Sequence, residues 1–147
     1  MKLHLKDVVS YLGTDYLVEG LLGYQVAERK LVLARLVDGD RVLWMEPARN
    51  DMDDRVLFLQ EVQDLDINTP PPRNILYKDR SYLPTFSGTA QVVSSGRTPG
   101  RASGRCELWR YRAAGDTFLQ IEEWPEGLVV LSGPSAHRGM LEILPAK

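Results

Sequence analysis

Apolar residues along this chain recur in short runs without helical spacing. The runs at 8–12, 16–18, 31–36, 41–45 and 56–59 are rich in β-branched and aromatic side chains, which suit the pleated surface of a strand. Polar turn signals separate them: Gly13-Thr14-Asp15, Asp38-Gly39-Asp40, and the stretch from Asn50 to Asp54. Asp-Gly between two apolar runs predicts a type I′ hairpin turn, because both residues tolerate positive φ. Thr69-Pro70-Pro71-Pro72 then breaks the pattern. Such a stretch is neither helix nor central strand and reads as a stiff connector over 69–73. Strand-like runs resume at 75–77, 82–83, 106–112, 118–124 and 128–131. Pro84 places its strand at a sheet edge or at a strand start. Residues 135–140 are the best candidate for a short helix.

The second half echoes the first. Tyr11 falls on Tyr77, Tyr16 on Tyr82 and Leu17 on Leu83; after a longer loop, Gly39 falls on Gly115, Asp40 on Asp116, Leu43 on Leu119 and Glu46 on Glu122. The turn order matches as well. This predicts an internal repeat, 5–62 and 74–133, related by a pseudo-two-fold axis within a single β domain over 1–147. Period-two alternation then assigns faces. Leu43, Met45, Leu119 and Ile121 are expected to face the core. Val42, Trp44 and Glu46 share the opposite face, as do Phe118, Gln120, Glu122 and Trp124. That second face mixes aromatics with carboxylates, so it is either half covered or lines a groove. The expected fold is all-β, about ten strands in two pseudo-symmetric five-strand modules. A closed or half-open barrel is preferred to a sandwich.

Composition narrows the function classes. A chain of 147 residues buries about two-thirds of its surface on folding, so its core needs neither disulfide nor metal. No apolar run reaches membrane-spanning length, and no signal-peptide core follows the first lysines. The single cysteine, Cys106, has no internal partner, which fits a reducing cytoplasm. The formal net charge is -2, which argues against a dedicated nucleic-acid binder. Basic charge concentrates at Arg97, Arg101, Arg105, Arg110 and Arg112. The first three lie in a Gly/Ser/Pro-rich loop. Such a loop is either solvated and mobile, with no apolar anchor, or an anion grip, since guanidinium offers a planar fork of donors.

Few residues support catalysis. His4 and His137 stand at opposite ends of the chain, and no His/Cys pair has metal-ligand spacing. Cys106 in an apolar strand reads as a small buried hydrophobe. There is no nucleophile elbow and no phosphate-cradling or dinucleotide fingerprint, so no cofactor is expected. Glu46 and Glu122 hold equivalent repeat positions. Brought together, two such carboxylates make an acid–base pair. With Trp44 and Trp124 nearby they also attract cations, including polyamines. Left apart, they are ordinary solvent-facing strand residues.

One pattern resembles a known family. Leu5-Lys6-Asp7-Val8-Val9 is followed by Leu12-Gly13-x-x-Tyr16-x-Val18-x-Gly20 and Val42-Leu43-Trp44-Met45-Glu46. Later come Tyr77-x-x-x-x-Tyr82, Ile121-Glu122-x-Trp124 and Ser132-Gly133. Order and spacing together resemble the bacterial family called domain of unknown function 4178, over nearly the whole chain. The resemblance implies a mostly β domain with no assigned activity or catalytic residues. It also implies genomic company with polyamine-metabolism and envelope-stress genes. The expectation is a non-catalytic cytoplasmic module that binds a partner protein or a small charged ligand at Glu46, Glu122, Trp44 and Trp124. The alternatives are a small enzyme using Glu46 and Glu122, or anion binding through Arg97, Arg101 and Arg105.

Overall fold

The computed structural model describes residues 1–49 and 52–146. Eleven strands follow in chain order: β1 (Val8–Tyr11), β2 (Thr14–Val26), β3 (Arg29–Asp38), β4 (Arg41–Glu46), β5 (Arg55–Glu61), β6 (Ile75–Tyr77), β7 (Arg80–Gly96), β8 (Gly104–Ala113), β9 (Thr117–Trp124), β10 (Gly127–His137) and β11 (Leu141–Leu144). The count exceeds the expected ten by β11. The region expected to be a short helix is instead the end of β10 and a single 3₁₀ turn, Arg138–Met140. Of the turn expected from Asn50 to Asp54, Asn50 and Asp51 lie outside the described residues.

β1 to β5 form one antiparallel meander and β6 to β10 a second, giving the sheet order β11-β1-β2-β3-β4-β5-β10-β9-β8-β7-β6. Two seams join the meanders. β5 pairs with β10, and β2 pairs with β7 from Gly20↔Gly96 to Val26↔Ala90, both antiparallel. The second seam closes eight strands, β2–β5 and β7–β10, into a barrel. Long strands make closure possible. β2 gives its first residues to β1 and its later ones to β7, and β7 does the same with β6 and then β2. Pro84 sits at a register shift in β7, between the stretch that meets β6 and the stretch that meets β2. A missing N–H is tolerated there.

Hairpin turns follow the local chemistry. Leu12 and Gly13 both take positive φ between β1 and β2, as do Lys78 and Asp79 between β6 and β7. Primed turns of this kind match the right-handed strand twist. The Asp-Gly expectation needs correction. The two-residue loop is Gly39-Asp40, and only Gly39 has a positive φ, which is the type II′ pattern.

Three apolar clusters result. One draws residues from all eight barrel strands, among them Leu22, Leu33, Trp44, Leu59, Val92, Leu108, Trp124 and Leu131; it is the barrel interior. The other two lie on the barrel's outer face. Leu3, Val9, Tyr16, Leu36, Met45 and Phe58 pack together beneath the N-terminal segment, β1 and β11. Ile75, Tyr77, Tyr82, Tyr111, Leu119 and Ile121 pack beneath β6 and the connector residues Val62, Leu65 and Ile67. The expected core residues Met45, Leu119 and Ile121 are therefore buried, and Leu43 partly so, but outside the barrel. The aromatic–carboxylate face, expected to be a groove or half covered, points inward.

A buried carboxylate ties the ends of the chain together. Asp7 accepts hydrogen bonds from the backbone N–H of His4 and of Ala146, both at 2.8 Å. Burial opposes the charge, but the bonds from Ala146 and His4 outweigh it and hold the carboxyl below its ordinary 3.8. A depressed folded value stabilises the protein above the unfolded value, and that contribution is lost as pH falls through the folded one. The Ala146 amide resonance is therefore expected to titrate with a midpoint below 3.8. A midpoint at or above that value would show that the clasp does not form.

Candidate functional site

The barrel interior carries a connected set of charged and polar side chains. Alternation in β9 turns Gln120 and Glu122 inward, where both are fully buried. Glu122 is saturated. Its Oε1 accepts from Arg101 Nε at 3.1 Å and Trp124 Nε1 at 2.9 Å. Its Oε2 accepts from the Tyr24 hydroxyl at 2.8 Å and Gln120 Nε2 at 2.6 Å. Arg110, inward on β8, donates through Nε and Nη2 to Gln120 Oε1. It also grips both oxygens of Glu46, at 3.1 and 2.8 Å. One relay therefore runs Glu46–Arg110–Gln120–Glu122–Arg101.

Arg101 reaches this relay from the β7–β8 loop. A tight turn aims it: the Arg101 N–H donates to the Thr98 carbonyl, and the Thr98 hydroxyl donates to the Arg101 carbonyl. Arg97 N–H anchors the loop to the Glu19 carbonyl at 2.8 Å. Gly20 makes room, since a Cβ there would stand 2.1 Å from the Arg97 carbonyl oxygen. The Arg101 side chain is 0% exposed. Its guanidinium lies over the Trp44 ring, 4.5 Å from the centroid. Among the described residues, its Nη1 and Nη2 have no hydrogen-bond partner. The loop thus has an anchor that sequence reading did not supply, and the anchor is charged.

The sequence candidates fall into three places. Trp44, Trp124, Glu122 and Arg101 come together inside the barrel. Glu46 joins them through Arg110 and borders a small cavity of about 230 Å³ at its own end of β4. Arg97 and Arg105 are exposed, whereas Arg101 is buried. Arg112 pairs at the surface with Asp116. Tyr24 and Gln120 were not singled out as site residues, although Gln120 shares its face with Glu122. Tyr24 is held protonated well above its ordinary range, by burial first and the Glu122 charge second.

Above the relay the barrel end opens into a cavity of about 760 Å³. The β3–β4 hairpin supplies Asp40, Arg41, Val42 and Trp44, and the β7–β8 loop supplies Pro99 and Gly100. Arg35, Gln60, Glu61 and Val129 complete the wall. Arg35 is paired with Glu19 at 2.8 Å. Arg41 touches the Thr14 hydroxyl at 3.5 Å and has no carboxylate partner among the described residues. Arg101 lies behind this wall, adjacent to Gly100 in sequence and stacked on Trp44.

Cys106 also faces the interior. Burial, then the Glu122 charge, pushes its thiol up to about 12, so it is protonated at neutral pH and a poor nucleophile. Alkylation of the native protein at pH 7 is expected to be negligible, with full labelling after denaturation. Labelling at a free-thiol rate in the native state would place Cys106 outside the barrel.

A closed eight-strand barrel with a charge relay through its interior and a mixed-charge cavity at one end is the class of protein that fold and site define. Residues 4–137 match the family described as Domain of unknown function (DUF4178), and the chain belongs to it. No curated protein and no solved structure matches.

Proposed function

We propose that this protein is a non-catalytic binding module whose ligand is a small charged molecule seated in the cavity at the β3–β4 end of the barrel. The observation that carries this reading is the Trp44 wall of that cavity with the buried Arg101 behind it. Ligand pockets combine an apolar floor with a few placed polar groups, and eight-strand barrels hold single small ligands at their ends. The enzyme alternative is weaker. Both oxygens of Glu46 accept from Arg110, and Glu122 accepts four bonds with no exposed surface. A general acid or base must reach its substrate directly or through one water. A thermal-shift screen of the full chain against amines, carboxylates and phosphates, with amide mapping of any hit, tests the reading. Perturbations at Arg41, Trp44, Gln60, Gly100 and Val129 are expected. Hits that map elsewhere, or no hit at all, would overturn it.

We further propose that the two meanders are copies of one ancestral unit working in a reducing cytoplasm. In support, β2 meets its own counterpart β7 and β5 meets β10, each antiparallel, as a two-fold relation requires. Tyr16 and Tyr82 are buried in corresponding outer clusters. Cys106 is a free, buried thiol.

A further inference from the structure

We infer that the unpartnered Nη1 and Nη2 of Arg101, behind the wall of the barrel-end cavity, are the recognition point for its ligand, and that the ligand presents them with a carboxylate or phosphate. This rests on the cavity being the ligand site and adds the chemistry of what it takes.

Arg101 is fixed on two sides. Its Nε is committed to Glu122 at 3.1 Å, and its plane is held over Trp44. Neither contact uses Nη1 or Nη2, which are buried without a partner among the described residues. Buried donors left unpaired cost about 1–3 kcal/mol each, so native proteins satisfy nearly all of them. The two free groups form a fork, and a fork is matched best by two oxygens of one carboxylate or phosphate. Water satisfies the same donors singly, which makes it the competing occupant.

The surroundings set the ligand's size and charge. Glu122, Glu46 and Glu19 each have their own arginine, so the interior is balanced before a ligand arrives. Arg41, on the cavity wall without a carboxylate partner among the described residues, offers an incoming oxyanion one further cation. Asp40 and Glu61 on the same wall repel a polyanion. The site therefore favours a compact molecule with one oxyanion end over nucleic acid. Approach to the fork runs past Pro99 and Gly100. Gly100 has a φ of +77° and nothing within 4 Å of a would-be Cβ, so no side chain at that position narrows the approach.

The test is titration of the full chain with inorganic phosphate, succinate and putrescine at constant ionic strength, read by calorimetry and tryptophan fluorescence. Saturable binding of phosphate or succinate is expected, with a fluorescence change lost in Trp44→Phe. Arg101→Lys keeps a cation beside Glu122 but removes the fork, and is expected to weaken oxyanion binding at least about ten-fold. Should Arg101→Lys fail to fold, Arg41→Gln at the exposed wall serves instead and is expected to weaken binding several-fold with an unchanged melt. Unchanged oxyanion affinity in these variants overturns the inference, as does the absence of any oxyanion binding, which leaves water as the occupant. Putrescine binding without oxyanion binding overturns it too, while leaving the cavity as a ligand site.

Discussion

Replacing Glu122 by Gln is expected to lower the unfolding free energy by about 3–5 kcal/mol, the range for removing one partner of a buried ion pair. The amide has nearly the shape of the carboxylate but not its charge. Arg101 then remains fully buried with no counter-ion, and two of its nitrogens already have no hydrogen-bond partner among the described residues. One amide nitrogen also replaces an oxygen that accepts two bonds, so two of Tyr24, Gln120, Trp124 and Arg101 face a donor instead of an acceptor. A drop in melting temperature of about 10 °C follows for a chain of this size. Glu46→Gln is milder, because Glu46 is 12% exposed and its amide oxygen still accepts from Arg110. A solvent-facing Glu122, the bland sequence reading, would give a change within about 0.5 kcal/mol. Urea unfolding of both variants separates these outcomes.

Gly133→Ala is expected to be at least as damaging, at about 4 kcal/mol or more, a size reserved for a named structural conflict. A Cβ on Gly133 would lie 1.8 Å from the Phe58 carbonyl oxygen, 2.9 Å from its carbon and 3.1 Å from the Leu59 Cα. All three are backbone atoms of β5, so no side-chain rotation relieves the clash. β10 must part from β5, and that seam is one of the two joining the meanders. Gly23→Ala is the control. Its nearest neighbour would be the Val93 carbonyl oxygen at 3.8 Å, so the change should stay within about 1 kcal/mol. Equal effects at the two positions would mean that the β5–β10 seam is not packed as described.

Much of the architecture was legible because strands write it in period two. The pairing of Trp44 with Glu46 on one face, and of Gln120, Glu122 and Trp124 on another, followed from alternation alone. The sense of that face did not. A barrel covered on its outside by β1, β6, β11 and the connector buries both faces of β4 and β9, so alternation marks two faces without saying which is inner. Carboxylates made the inner face look wet, whereas Arg110 from β8 and Arg101 from the β7–β8 loop neutralise it. Arg110 stood in an apolar strand, where its alternation with Leu108 held the clue. Arg101 left no local signal: a Gly/Ser/Pro loop reads as solvated, and the carboxylate that draws it inward is 21 residues away. β11 escaped notice because Leu-Glu-Ile-Leu is short, and its pairing with β1 joins the two ends of the chain.

The most direct test of the interior relay is a double-mutant cycle on Arg101 and Glu122, using Arg101→Met, Glu122→Gln and the pair, each unfolded in urea. The two side chains are expected to couple by at least about 2 kcal/mol, with the double variant more stable than the additive sum, because removing both charges leaves neither stranded. A coupling below about 0.5 kcal/mol, the level of exposed ion pairs, would show that Arg101 does not enter the barrel and that the end cavity has no buried cation behind it.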